Sequence, residues 1–290
     1  MNKVLDLIRL MRPHQWVKNA FVFTGLIFGH FWGDADLVFR VVCAAIGFSL
    51  VSSSVYVLND LLDRAADAVH PKKQQRPLAA GRVSVQAAVG LGIILMAVGL
   101  SLGWWVSARA LAMLVGYAVL NIAYSLHLKH VVLIDVFIIA AGFMLRILVG
   151  TFGVGIPPSQ WLVLCGLMIT LFLGFSKRRA EVLTLGDGNS VHRRVLEHYS
   201  PVLLDKMIGI TASGVIMSYS LYTMSPETIR IHHTANLIYT VPFVIFGVFR
   251  YIYLLHHQQK GTDTAHDIFR DAWLLGAVVC WLAATLALIS

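Results

Sequence analysis

Residues 37–67 read LVFRVVCAAIGFSLVSSSVYVLNDLLDRAAD. The run 37–58 is long enough, at about 1.5 Å per residue, to cross a hydrocarbon core about 30 Å thick. A backbone in hydrocarbon must satisfy its own hydrogen bonds, so this run reads as a helix. Where it ends, Asn59, Asp60, Asp63 and Asp67 follow at once, although the chain holds only 15 acidic residues. A membrane helix delivering carboxylates to the bilayer surface is the first expectation.

Comparable apolar runs lie on either side. They cover roughly 20–33, 86–106, 109–127, 131–153, 159–176, 205–224, 236–257 and 271–289, which makes nine spans with the first one quoted. Composition agrees: 58% of residues are hydrophobic and 13% charged, against about a quarter charged in soluble domains. The expectation is an all-α, polytopic membrane protein with nine transmembrane helices, residues 1–290 forming a single domain. Cys43, Cys165 and Cys280 stand singly inside apolar runs, a spacing that offers neither a metal site nor a disulfide. Trp16, Lys18 and Asn19 interrupt the N-terminal region, so no cleavable signal is expected.

The net charge of +8 is accounted for by topology. Of the 23 Lys and Arg residues, all but Arg40, Arg109, Arg146 and Arg230 fall on one side of the nine-span arrangement. The positive-inside rule makes that side cytoplasmic and leaves Ser290 outside. The partner this charge pattern implies is the lipid bilayer, and no nucleic acid is needed to explain it.

Chemistry is expected in the loops of the charged side. At about 100° per residue, Asp60, Asp63 and Asp67 share one helical stripe, with Asn59 beside it. Like charges on one stripe repel, and a hard cation relieves that repulsion. Incomplete oxygen coordination suits Mg²⁺ shared with substrate phosphates. His70-Pro71 then breaks the helix, and Lys72, Lys73, Arg76 and Arg82 follow. Acids beside bases form a layout for a polyanionic ligand. Lys18 and Asn19 lie at the threshold of the first span, and Trp16 reads as an interfacial anchor. Asp135 and Arg146 are ionisable residues within the fifth span, about 16 Å apart along a helix. Lys177, Arg178 and Arg179, with Glu181 and Asp187, open the loop after the sixth.

Several of these stretches together resemble a known family. They are Arg-Pro-x-Gln-Trp-x-Lys-Asn at 12–19, the loop from Asn59 to Gly81, and Tyr-Ser-x-x-Leu-Lys-His-x-x-x-x-Asp at 124–135. Gly142-Phe143-x-Leu145-Arg146 and Lys177-Arg178-x-Ala180-Glu181 belong with them. The chain resembles the UbiA-type intramembrane prenyltransferase superfamily, and within it the decaprenyl-phosphate phosphoribosyltransferase branch. The resemblance implies nine helices around a central cavity. It also implies transfer of the 5-phosphoribosyl group from phosphoribosyl pyrophosphate to a polyprenyl phosphate, for cell-envelope arabinose biosynthesis. Asn59, Asp60, Asp63 and Asp67 then organise Mg²⁺. Lys18, Asn19, Lys73, Arg76, Lys129, Lys177 and Arg178 become phosphate contacts, and Asp135 a stabiliser of the oxocarbenium-like transition state. In the wider superfamily the loop after the sixth span usually carries a second acidic motif; here it begins Lys177-Arg178-Arg179. Two other readings stay open: an aromatic prenyltransferase using a prenyl diphosphate, and a transporter of anionic solutes.

Overall fold

The computed structural model describes residues 3–69, 73–184, 194–257 and 271–289. The expected break at His70-Pro71, together with Lys72, Asp187, Arg193, Lys260, Arg270 and Ser290, lies outside the described residues.

Apolar runs become helices, and their lengths follow from what punctuates them. Helix α1 spans Lys3–Met11 and ends at Arg12, which holds a left-handed φ of 54° just before Pro13. A 3₁₀ segment, Pro13–Phe23, leads into α2, Thr24–Phe28. Helix α3, Ala35–Leu62, starts with Asp34 capping the Leu37 amide. Then come α4, Arg64–Val69; α5, Val85–Val106; α6, Ala108–Leu126; and α7, Ile134–Val149. The remainder is α8, Gln160–Thr184; α9, Pro201–Met224; α10, Pro226–His232; α11, Val241–His257; and α12, Ala272–Ile289.

Among the described residues, seven helices are long and apolar enough to cross a membrane, where nine were expected. The shortfall lies in the first and fifth runs. The first is wound as a 3₁₀ segment plus a short helix. At about 2.0 Å per 3₁₀ residue and 1.5 Å per α residue, the two together still reach roughly 30 Å. The fifth gives the 16-residue α7, about 24 Å long. It is bounded by Leu133 at φ 67° and by the turn that carries Gly155 at φ 100°.

The chain divides into two compact units, 1–129 with 145–158, and 130–144 with 159–290, the division falling inside α7. In the first unit α3 is the central helix: 61% of its apolar window is buried, against 17% for α5. With no hydrophobic force between helices in lipid, close backbone approach holds such packing. A Cβ on Gly99 of α5 would sit 2.8 Å from Val51 Cγ2 and 2.9 Å from the Gly47 carbonyl oxygen on α3. The Ser54 hydroxyl adds a 2.7 Å hydrogen bond to the Gly92 carbonyl. The second unit is cored by Phe172 and Phe175 of α8, Leu204 and Ile208 of α9, and Tyr251 and Leu254 of α11.

Candidate active site

In the first unit the acidic motif is assembled at the end of α3. The helix stops at Leu62 because Asp63 leaves helical geometry as its C-cap. The Asp67 amide still bonds the Asp63 carbonyl at 2.8 Å, which carries the chain directly into α4. This break splits the expected stripe. Asp60 and Asp67 turn inward, 4% and 2% exposed, while the Asp63 side chain keeps 47% of its exposure.

Basic side chains from three elements close on these acids. Arg76 Nη1 bridges two of them, 3.1 Å from Asp60 Oδ1 and 2.5 Å from Asp67 Oδ2. Arg12 pairs with the same Asp60 oxygen. Lys73 lies 3.8 Å from Asp67, and Lys129 3.8 Å from Asp63. Asn59 accepts a 2.5 Å hydrogen bond from the Ser125 hydroxyl. The loop presenting Arg76 is anchored by Leu78, fully buried in an apolar cluster. Arg82 ties it to α1 through Asp6, at 3.2 Å, and binds the Gln75 carbonyl.

The 3₁₀ segment explains how Lys18 is presented. With three residues per turn, Trp16, Asn19 and Val22 eclipse on one row, and Gln15, Lys18 and Phe21 on another. The first row is bolted to its surroundings. Trp16 Nε1 donates to Ser53 Oγ at 3.0 Å, and Asn19 donates to Ser49 Oγ at 2.8 Å. Val22 is fully buried, its carbonyl so close to Gly150 that a Cβ there would collide with it. Buried Arg146 donates to Asn19 Oδ1 at 2.8 Å and lies over the rings of Phe48 and Tyr117. Asn19 is therefore 3% exposed with both ends of its amide engaged, a strut behind the half-buried Lys18. Trp16 has the same strut function, in addition to any anchoring at the interface.

The second unit holds the other predicted residues. Arg178 and Asp135 are fully buried and 3.0 Å apart, a close ion pair that is not aligned as a hydrogen bond. Arg178 also pairs with Glu181. Tyr199, unforeseen in the sequence, donates to Asp135 Oδ1 at 2.7 Å and accepts from the Leu133 amide at 2.7 Å. Burial, and after it the bond to Asp135, raises the Tyr199 phenol above its ordinary pKa and keeps it a donor. Arg179 binds Asp205 at 2.5 Å and the Leu255 carbonyl at 3.0 Å. Lys177 is half-buried on α8. Arg178 is thus enclosed between two carboxylates, and both Asp135 oxygens are engaged in holding their surroundings.

Residues 20–275 match the UbiA prenyltransferase family. The chain belongs to that family. It is 33% identical over 230 residues to a decaprenyl-phosphate phosphoribosyltransferase of Mycolicibacterium smegmatis, covering 78% of this chain and 72% of that one. A protein of the same description from Corynebacterium glutamicum is 35% identical over 224 residues, 74% of this chain and 66% of that one. Among solved structures, a UbiA homologue from Archaeoglobus fulgidus bound to GPP and Mg²⁺ superposes with a TM-score of 0.73. The superposition covers 98% of each chain at 17% identity, which establishes the shared fold.

Solved UbiA homologues thus carry a divalent metal, and the donors here suit one. Asn59, Asp60, Asp63 and Asp67 offer only hard oxygen atoms. Among the described residues no set of three or more His, Cys, Asp or Glu side chains stands ready as a cage. That combination fits a cation held by one or two carboxylates and completed by substrate phosphate oxygens.

Proposed function

We propose that the chain transfers the 5-phosphoribosyl group from phosphoribosyl pyrophosphate to a polyprenyl phosphate at a cytoplasmic membrane surface. The observation that carries this is the extended identity to two phosphoribosyltransferases, 33% and 35% over more than 220 residues. The site chemistry supports it. Asp60 and Asp67 hold the metal, assisted by Asn59 and Asp63. Mg²⁺, when bound there, offsets the charge that develops on the departing diphosphate.

The remaining work belongs to the protein's own side chains. Arg76, Arg12, Lys73 and Lys129 surround the acids, and with Lys18 of the 3₁₀ segment they bind diphosphate oxygens by charge-assisted hydrogen bonds. An oxygen of the lipid phosphate attacks C1 of ribose as the bond from C1 to the diphosphate breaks. That oxygen is already anionic, so no residue is required to remove a proton. Within the second unit, Lys177 is the phosphate-binding cation that α8 offers. Arg178 supports it from within: pinned by Asp135 and Glu181, it fixes the end of α8 and needs no direct contact with substrate. Asp135 then acts by positioning, whereas the sequence reading gave it transition-state stabilisation.

The test is incubation of membranes containing the protein with phosphoribosyl pyrophosphate, labelled in ribose, and polyprenyl phosphate, followed by analysis of the lipid extract. A Mg²⁺-dependent, acid-labile phosphoribosyl lipid is expected. Prenylation of a hydroxybenzoate or naphthoate, with phosphoribosyl pyrophosphate ignored, overturns the reading.

A further inference from the structure

The acidic motif is more than neutralised by its own protein. Among the described residues, four cations pair with three carboxylates: Arg12 and Arg76 on Asp60, Arg76 and Lys73 on Asp67, and Lys129 on Asp63. The cluster therefore carries one positive charge in excess. Its two buried members are the most heavily covered, since Arg76 bridges them and both oxygens of Asp67 face a cation. A bare divalent cation approaching this cluster meets net repulsion, and screening is weak where Asp60 and Asp67 are shielded from water. A metal–diphosphate complex is an anion. It supplies oxygens that accept from Arg12, Arg76 and Lys73 as those groups release the carboxylates, so every charge exchanges one partner for another.

We propose that Arg12 and Arg76 form a lock on the acidic motif, which admits a divalent cation only in company with a diphosphate. The lock is a property of the diphosphate site proposed above and deepens that reading: donor and metal enter as one complex, and metal alone is refused. Arg12 is suited to the task by its placement. It sits at the left-handed joint between α1 and the 3₁₀ segment, its guanidinium 5.2 Å from the Tyr56 ring centroid, so it is aimed at Asp60 from a fixed base.

The experiment is equilibrium dialysis of the purified protein in detergent against Mn²⁺, with and without inorganic pyrophosphate, counting the Mn²⁺ that stays with the protein. Wild type is expected to retain Mn²⁺ roughly tenfold or more tightly when pyrophosphate is present. Arg76→Gln removes the bridge and is expected to tighten binding of Mn²⁺ alone by about tenfold while weakening the pyrophosphate-dependent binding. Arg12→Gln moves both in the same directions. Arg76→Lys, which keeps the charge and loses the fork, falls between, and elution of each variant as a single species checks folding. Wild type binding Mn²⁺ alone as tightly as with pyrophosphate overturns the lock, and so does an unchanged metal-alone affinity in both Gln variants. Failure of wild type to retain Mn²⁺ with pyrophosphate overturns the diphosphate reading itself, and the lock with it.

Discussion

Asp60 and Asp67 differ from Asp63 in burial, and the difference has a consequence. Each buried carboxylate pairs with two cations, and in the proposed reading each also serves the metal. Asp60→Asn or Asp67→Asn should therefore lower kcat/KM for the donor by on the order of 100-fold or more, beyond the loss typical of an outer partner. Initial rates at saturating Mg²⁺, on variants shown to be folded, measure this. Asp63→Asn, with one distant partner, should lose less. Tyr199→Phe removes the donor to Asp135 and the acceptor for the Leu133 amide, costing about 1–3 kcal/mol. The folded phenol's pKa is raised, so its contribution is fully present below the unfolded value of about 10 and fades only above it. The melting gap between wild type and Tyr199→Phe in detergent should thus stay constant from about pH 6 to 9. The acids were legible in the sequence because acids are scarce and these are clustered. Tyr199 was not, because its partner lies 64 residues away and no local pattern marks the pair.

Elements were legible where a run is uninterrupted. The reading 37–58 became Ala35–Leu62, 86–106 became Val85–Val106, and 109–127 became Ala108–Leu126. The first and fifth runs gave shorter helices than hydropathy implied, because apolar length registers neither the 3₁₀ winding of the first nor the positive-φ turns at Leu133 and Gly155 that bound the fifth. Pro13, the left-handed Arg12 and the three-residue rows of Trp16, Asn19 and Val22 make the first a 3₁₀ segment. The polar groups inside these runs have partners that only packing reveals, Arg146 with Asn19 and Asn19 with Ser49. The seam between α3 and α5 offers the test at this scale. Gly99→Val places methyl groups where a Cβ is already 2.8 Å from Val51 and 2.9 Å from the Gly47 carbonyl. Overpacking of that kind costs about 1–3 kcal/mol, so a lower melting temperature in detergent is expected. Gly90→Val on the same helix, where a Cβ meets nothing within 4 Å, is the matched control.

The whole chain's path decides which side each terminus faces, and it turns on the two short segments. Arg12 pairs with Asp60 at one end of α3, whereas the chain enters α3 at its other end, Ala35. Residues 13–34 therefore run the length of α3 despite their 3₁₀ winding. For α7, Lys129 precedes it beside Asp63, and Gly153 follows it beside the α5–α6 turn, where its carbonyl accepts a 2.6 Å hydrogen bond from Ser107. That turn closes the ends of α5 and α6 remote from the acids, so within the first unit the chain leaves at Lys129 beside the acids and returns by Gly153 at the other end. Counting both short segments as crossings beside the seven longer helices of the described residues restores the nine expected from the sequence. On that expectation, an odd total puts the two termini on opposite sides. The positive-inside rule predicts that the side of Lys3, Arg9, Lys73 and Arg76 is cytoplasmic. A C-terminal alkaline phosphatase fusion should accordingly be active, and a C-terminal fluorescent protein that folds only in the cytoplasm should be dark. The same reporters placed after Ala80, in the loop that carries Arg76, should give the reverse. With the acidic loop shown cytoplasmic, a bright C-terminal fluorescent fusion would mean an even number of crossings after it, and would assign the error to the helices that follow that loop.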